Sequence, residues 1–193
     1  MKYPFIVVLP LVLVITPLVG KDVNFGCQVG IAMPQGDTKL AVGDQKGYTV
    51  GINVPIDFNG GNTLRPHLNY LTNTGTQSGN YQSNDNTLAT ISLGVDWLYY
   101  VNKNLAGLYL VAGIGANYTK FDSTYNSPYD LLNSGYSVTR YGTAVAFNAG
   151  LGWQFSSKFG AELQYNSASP NLSNWQISIN NDANLTLSLT FRF

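Results

Sequence analysis

From residue 25 onward the chain keeps returning to one pattern, an apolar residue at every second position. The last ten residues, NLTLSLTFRF, show it plainly: Leu185, Leu187, Leu189, Phe191 and Phe193 alternate with Thr186, Ser188, Thr190 and Arg192. A period of two belongs to a strand whose two faces meet different surroundings. Eight such runs are predicted, over 25–33, 48–58, 64–70, 90–99, 107–118, 140–155, 159–166 and 185–193. Their connections alternate in length. Short turns are expected at 59–62, 102–104 and 156–158, and long polar loops at 34–46, 72–86, 120–139 and 167–183. Long connections on one side, short ones on the other and an even strand count imply an antiparallel up-and-down barrel.

Composition decides what lies outside that barrel. Charged residues make up 10% of the chain, against roughly 25% in an ordinary soluble domain. Yet no stretch after residue 20 is apolar enough for a spanning helix, so the apolar residues are dispersed as a transmembrane barrel disperses them. All three arginines, Arg65, Arg140 and Arg192, fall on the polar parity of a predicted strand, and the outward parity carries no charge within the apolar band. A soluble barrel has no reason to keep its outer face so clean. The first twenty residues differ: MKYPFIVVLPLVLVITPLVG has one lysine, an apolar run and three prolines, and reads as a secretory signal. The expected organisation is a cleaved signal peptide over 1–20 and one barrel domain over 21–193. Nine basic residues remain after that cut against ten acidic ones, so the near-neutral chain has no bulk attraction for nucleic acid. Cys27 is the only cysteine, which excludes an internal disulfide.

The mature chain resembles the small eight-stranded bacterial outer-membrane barrels of the OmpA/OmpX type. The resemblance rests on the eight alternating runs, the alternating connection lengths and the aromatic C-terminus. It implies an all-β transmembrane barrel in the outer membrane of a Gram-negative cell, surrounded by lipid. It also implies that Phe193, with Leu187, Leu189 and Phe191 before it, is the signal read by the barrel-assembly machinery.

Candidate chemistry lies in two places. On the polar parity are Asp57, Arg65, His67, Asp96, Arg140, Glu162 and Arg192, expected to gather in the lumen near the short turns. Either they line a gated polar path, with a proton site at His67 partnered by Asp57 or Asp96, or they neutralise one another and fill a lumen only eight strands wide. Inward glycines are expected to make room for large neighbours such as Tyr109 and the arginines. In the long connections Tyr125, Tyr129, Leu131, Leu132, Tyr136 and Trp175 have no lipid to face and are candidates for contact with a surface or host partner. The alternation of Trp175, Ile177 and Ile179 continues the parity of the last strand, so the last two strands are expected to protrude as a ribbon. Aromatic residues near both strand ends are read as interface girdles.

No cofactor or metal site is expected, since one histidine and one cysteine at no ligand spacing specify nothing. Nor is catalysis. Lipid A deacylases on this fold carry a histidine followed two residues later by a serine on a late strand, whereas QYNSASPN at 164–171 has serines and no histidine. The expectation is a monomeric, mostly filled barrel with a structural or adhesive role through its loops. The alternatives are a narrow, porin-like pore or transporter for small or hydrophobic solutes and, behind it, a lipid A-modifying enzyme.

Overall fold

The computed structural model describes residues 24–58, 60–78, 83–103, 105–126, 136–173 and 178–193. Its strands are β1 (Gly26–Gln35), β2 (Gly47–Asn53), β3 (Ile56–Phe58), β4 (Asn62–Ser78), β5 (Ser83–Tyr100), β6 (Gly107–Asn126), β7 (Tyr136–Gln154), β8 (Phe159–Ala168), β9 (Leu172–Ser173), β10 (Ser178–Ile179) and β11 (Asp182–Arg192), with a helix α1 (Gly36–Val42) after β1. β2 and β3 are one barrel strand, expected as continuous over 48–58. It is interrupted at Val54 and Pro55, because proline has no N–H for the ladder; Val54 N–H donates to Pro66 O at 3.0 Å across the break. Counted so, eight antiparallel strands close in the order β2–β1–β11–β8–β7–β6–β5–β4, with β4 returning to β2. β11 closes the ring, pairing β1 from Gly26↔Arg192 to Gln35↔Ala183 on one side and β8 on the other. A strand that joins both free edges leaves no edge in the wall, the condition for backbone to cross lipid.

Burial alternates as the parity predicts. Along β2 the order is buried then exposed throughout, with Tyr48, Val50 and Ile52 outward and Thr49, Gly51 and Asn53 inward. The outward apolar side chains form a belt bounded by aromatics. Phe155 and Phe159 stack at 5.4 Å near the turn end, and Tyr118 and Tyr141 stack at 5.9 Å toward the other.

That other end departs from the expected long polar loops. Residues 72–78 and 83–86 continue β4 and β5, paired out to Ser78↔Ser83, and β6 and β7 stay paired to Tyr125↔Tyr136. β7 meets β8 only from Ala146 onward, so β4 to β7 rise beyond the wall as a four-stranded sheet. The expected ribbon of the last two barrel strands is not what protrudes. β8 ends at Ala168, and the short β9–β10 pair folds inward, burying Leu172 and Ile179.

The connection after β1 is not a plain loop either. It contains α1, ended by Gly43 at φ 73, whose N–H donates to Lys39 O at 2.8 Å. Asp37 in its first turn accepts the backbone N–H groups of Asn180 and Asn181 at 2.9 and 3.0 Å. Ala41 and Val42 of the helix then pack with Leu88, Phe121, Leu172 and Ile179 into a small apolar core over the barrel mouth. Each large side chain there contributes about 1.5–3 kcal/mol of burial, which is why a seven-residue helix without a side-chain N-cap persists. Gly75 lets β4 pass beneath it; a Cβ there would overlap the carbonyl of Val42.

Candidate functional site: the closed lumen and its cap

In the strand ring β4 and β8 stand opposite each other, four places apart in either direction. Arg65 on β4 spans that diameter. Its Nη1 and Nη2 donate to Glu162 on β8 at 2.8 and 2.9 Å, and its Nε and Nη2 donate to Asp96 Oδ2 at 3.1 and 2.7 Å. Arg65 and Asp96 are direct cross-strand partners in the β4–β5 register, and His67 is the next inward residue of β4. His67 Nδ1 lies 3.2 Å from Asp96 Oδ2, off the line of a good hydrogen bond. The carboxylates gain neutral donors from two further walls, Asn148 Nδ2 to Asp96 Oδ1 at 2.9 Å and the Tyr109 hydroxyl to Glu162 Oε2 at 3.0 Å. All three charged members are at most 4% exposed. Burial this deep is tolerated because every charge has several short, charge-assisted bonds. Two glycines make the room: a Cβ at Gly113 would overlap Asp96, and one at Gly152 would overlap the ring of Tyr109.

Toward the turn end a floor of Leu98, Tyr100, Tyr109 and Val111 lies against the bridge, with the two tyrosine rings 4.9 Å apart. Asp57 and Arg192 do not join the Arg65 group. They pair with each other at 3.1 Å, and Thr63 donates to Asp57 at 2.6 Å. Arg140 joins neither. It has the inward parity but stands on the part of β7 beyond β8, and it is exposed.

Above the bridge a cavity of about 40 Å³ is bounded by polar side chains, among them Gln28, Thr49, Asn69, Asn117, Asn148 and Gln164. Asp182 lies at its upper end, 4% exposed. It accepts hydrogen bonds from Thr38 of α1 at 3.0 Å, Thr90 at 3.1 Å, Thr119 at 3.4 Å and Asn184 at 3.1 Å. One carboxylate thus ties the helix to β5, β6 and β11, and the apolar core of the cap closes above it. The apolar alternation starts only at Leu185 and so leaves Asp182 in a loop, although Asp182 and Asn184 share the inward parity of Thr186.

The expected contact residues fall differently. Tyr136 is exposed and begins β7, and Tyr125 is opposite it in register. Tyr129, Leu131, Leu132 and Trp175, and the expected signal segment 1–20, lie outside the described residues. Leu187 and Leu189 face outward, and Phe193 is exposed at the turn end, where its N–H donates to Phe25 O at 2.7 Å.

No family model and no curated protein matches the chain. Solved structures do match its geometry. A major outer membrane protein of Thermus thermophilus aligns with a TM-score of 0.62 at 14% identity, over 89% of this chain and 100% of the other. Neisserial surface protein A gives 0.59 at 12% over 89% and 97%. Ail, the attachment invasion locus protein of Yersinia pestis, crystallised with the heparin analogue sucrose octasulfate, gives 0.56 at 17% over 89% and 99%. The fold is that of the small outer-membrane β-barrels. At these identities the likeness is one of backbone, so the roles of the barrel's individual side chains have to be argued from its own lumen and cap.

Proposed function

We propose that this chain is an outer-membrane protein that works at the cell surface through its cap and the β4–β7 sheet, and that its lumen does not pass solutes. The observation that carries this reading is the double closure of the lumen. The Arg65 bridge crosses it above a tyrosine floor, and α1 with the β9–β10 pair packs an apolar core over its mouth. A barrel serving as a conduit has no use for a core that is stable only when water is excluded. On this orientation the turns and the C-terminus face the periplasm and the cap faces outward, in line with the long-connection rule for such barrels. No covalent chemistry is assigned, since the buried carboxylates are spent on structural hydrogen bonds.

The kind of partner follows from the charge of the outer end. Among the described residues that are at least partly exposed there, the charges balance, Asp37, Asp44, Asp85 and Asp122 against Lys39, Lys46, Lys120 and Arg140. With no excess of positive charge to meet a polyanion such as the one crystallised with Ail, a neutral protein or glycan surface fits better. Exposed Tyr136, beyond the belt, offers the amphipathic aromatic contact that such surfaces use. Conductance of the refolded barrel in planar bilayers tests the closed lumen, with folding checked on the same sample by heat-shifted gel mobility. Silence supports the reading, and discrete openings would replace it with a narrow pore. Cells displaying the barrel, compared with cells displaying a Tyr136→Ser variant, test the surface role. Equal adhesion to host cells and equal envelope integrity would remove it.

A further inference from the structure

Among the described residues, Asp182 is a buried carboxyl group that pairs with no cation, whereas Arg65 takes Asp96 and Glu162 and Arg192 takes Asp57. It lies beyond the belt, above Leu185, whose cross-strand partner is the outward Tyr165. Its two oxygens are not alike. Asn184 gives its own Oδ1 to Asn73 Nδ2 at 2.8 Å, so its Nδ2 is the group that donates to Asp182 Oδ1 at 3.1 Å. Thr38 Oγ1 accepts the Ala183 N–H at 3.2 Å and sends its proton to the same Oδ1 at 3.0 Å. Oδ1 is therefore an acceptor in both bonds.

Oδ2 sits instead in a triangle of oxygens. It is 3.1 Å from Thr90 Oγ1 and 3.4 Å from Thr119 Oγ1, and those two hydroxyls are 3.2 Å from each other. Each threonine brings one proton, so three contacts share two protons. An ionised Asp182 leaves one oxygen pair facing without a proton between them, whereas an acid protonated on Oδ2 supplies the third and completes the triangle. Burial acts in the same direction: it pushes the Asp182 carboxyl up from its ordinary value, and the hydrogen bonds from the threonines and Asn184 pull it back less strongly. No neighbour brings a compensating charge. On α1, Asp37 is bound to Asn180 and Asn181 and Lys39 to Asp44. On β6, Lys120 pairs with Asp122 on the outer face, where Asp85 of β5 accepts Thr76. Glu162 of β8 belongs to the Arg65 bridge, and His67 of β4 is the other titratable group on the chamber's lining.

We infer that Asp182 is a neutral acid while the cap is shut, and that α1 is a proton-operated lid which acid locks and rising pH loosens. Closing takes up a proton, because Asp182 returns to the ordinary carboxylate range once α1 lifts and water reaches it. The closed form is therefore most stable below that range, and it loses stability as pH climbs from there through the raised closed-state value. A lifted α1 bares Leu88, Phe121, Leu172 and Ile179, so the outer end offers an apolar surface only away from acid. The lid works in this way whatever the outer surface binds.

The test is amide exchange in the mature chain refolded into phosphatidylcholine vesicles. Rates in α1 are divided by the intrinsic rate at each pH, with β5 and β6 at the belt as reference. Between about pH 4 and pH 8 the protection of α1 should fall by roughly tenfold or more, a factor of ten for each unit by which closure raises the carboxyl. Asp182→Asn should stay level across that range at the wild type's low-pH protection, since its amide sets a donor at the place of Oδ2 and keeps an acceptor at Oδ1. Level protection in the wild type would overturn the lid. So would a pH dependence undiminished in Asp182→Asn, which would place the proton on His67 or Asp37, and so would an Asp182→Asn variant whose α1 is open at every pH. If that variant does not fold, the infrared carbonyl band of protonated carboxyl groups in the wild-type barrel decides. A band that fades over the same pH range as the protection supports the lid, and its absence excludes it.

Discussion

Replacing Arg65 by methionine keeps most of the side chain's length and removes its charge. Four N–H···O contacts between 2.7 and 3.1 Å disappear, and two carboxylates whose side chains are 3% and 2% exposed lose their shared cation. They are not left bare, since Asp96 keeps Asn148 and Glu162 keeps Tyr109. Breaking one buried ion pair costs about 3–5 kcal/mol. With two carboxylates on one guanidinium and a neutral donor left to each, the upper end of that range, about 5 kcal/mol, is the expected loss. The triple variant Arg65→Met/Asp96→Asn/Glu162→Gln removes the whole charge set and should lie within about 2 kcal/mol of the wild type, because the desolvation penalty goes with the attraction. Urea titration in phosphatidylcholine vesicles, followed by tryptophan fluorescence and gel mobility, gives both midpoints and slopes. A single variant within about 1 kcal/mol of wild type would refute the reasoning, as would a triple variant no better than the single.

Three other perturbations probe the cap and the belt. Asp182→Ala leaves the Thr38, Thr90 and Thr119 hydroxyls without their acceptor; the expected loss of about 2–3 kcal/mol appears as amide exchange in 36–46 faster by roughly 30- to 150-fold, with β5 and β6 at the belt unchanged. Gly75→Val drives a side chain into the Val42 carbonyl, so α1 should lift and trypsin should cleave after Lys39 far faster than in wild type, while barrel gel mobility is retained. Leu189→Arg places a charge on the exposed outward face of β11 and should cost about 2–4 kcal/mol near the bilayer midplane. Ser137→Arg has the same outward parity but stands beyond the wall on β7, so its effect in the same vesicle assay should be within about 0.5 kcal/mol.

The limits of sequence reading follow the lipid. Where strands cross the belt, one face must be apolar, so Val50, Ile52, Leu187 and Leu189 announce their orientation by alternation alone. Beyond the belt that demand ends. TNTGTQS at 72–78 and the polar ends of β6 and β7 carry no alternation to read, yet they pair as strands because β5 and β6 beside them already do. α1 left no signal, being seven residues long, opened by a glycine and stabilised only by Leu88, Phe121, Leu172 and Ile179 from distant segments.

The chain's sequence by itself determined that there are eight barrel strands, which side chains face inward along the wall, and that Arg65, His67, Asp96 and Glu162 share an interior, since each of these depends on period two and is written locally. Only the tertiary structure decided who partners whom. Arg65 meets Glu162, 97 residues away, because closing the ring sets β4 against β8. Arg192 turns to Asp57 instead, and Arg140, with the same parity, meets solvent on the stretch of β7 that β8 does not reach. The cap that closes the lumen was also decided there, because its apolar contacts join α1, β5, β6, β9 and β10, segments that become neighbours only once the barrel has closed.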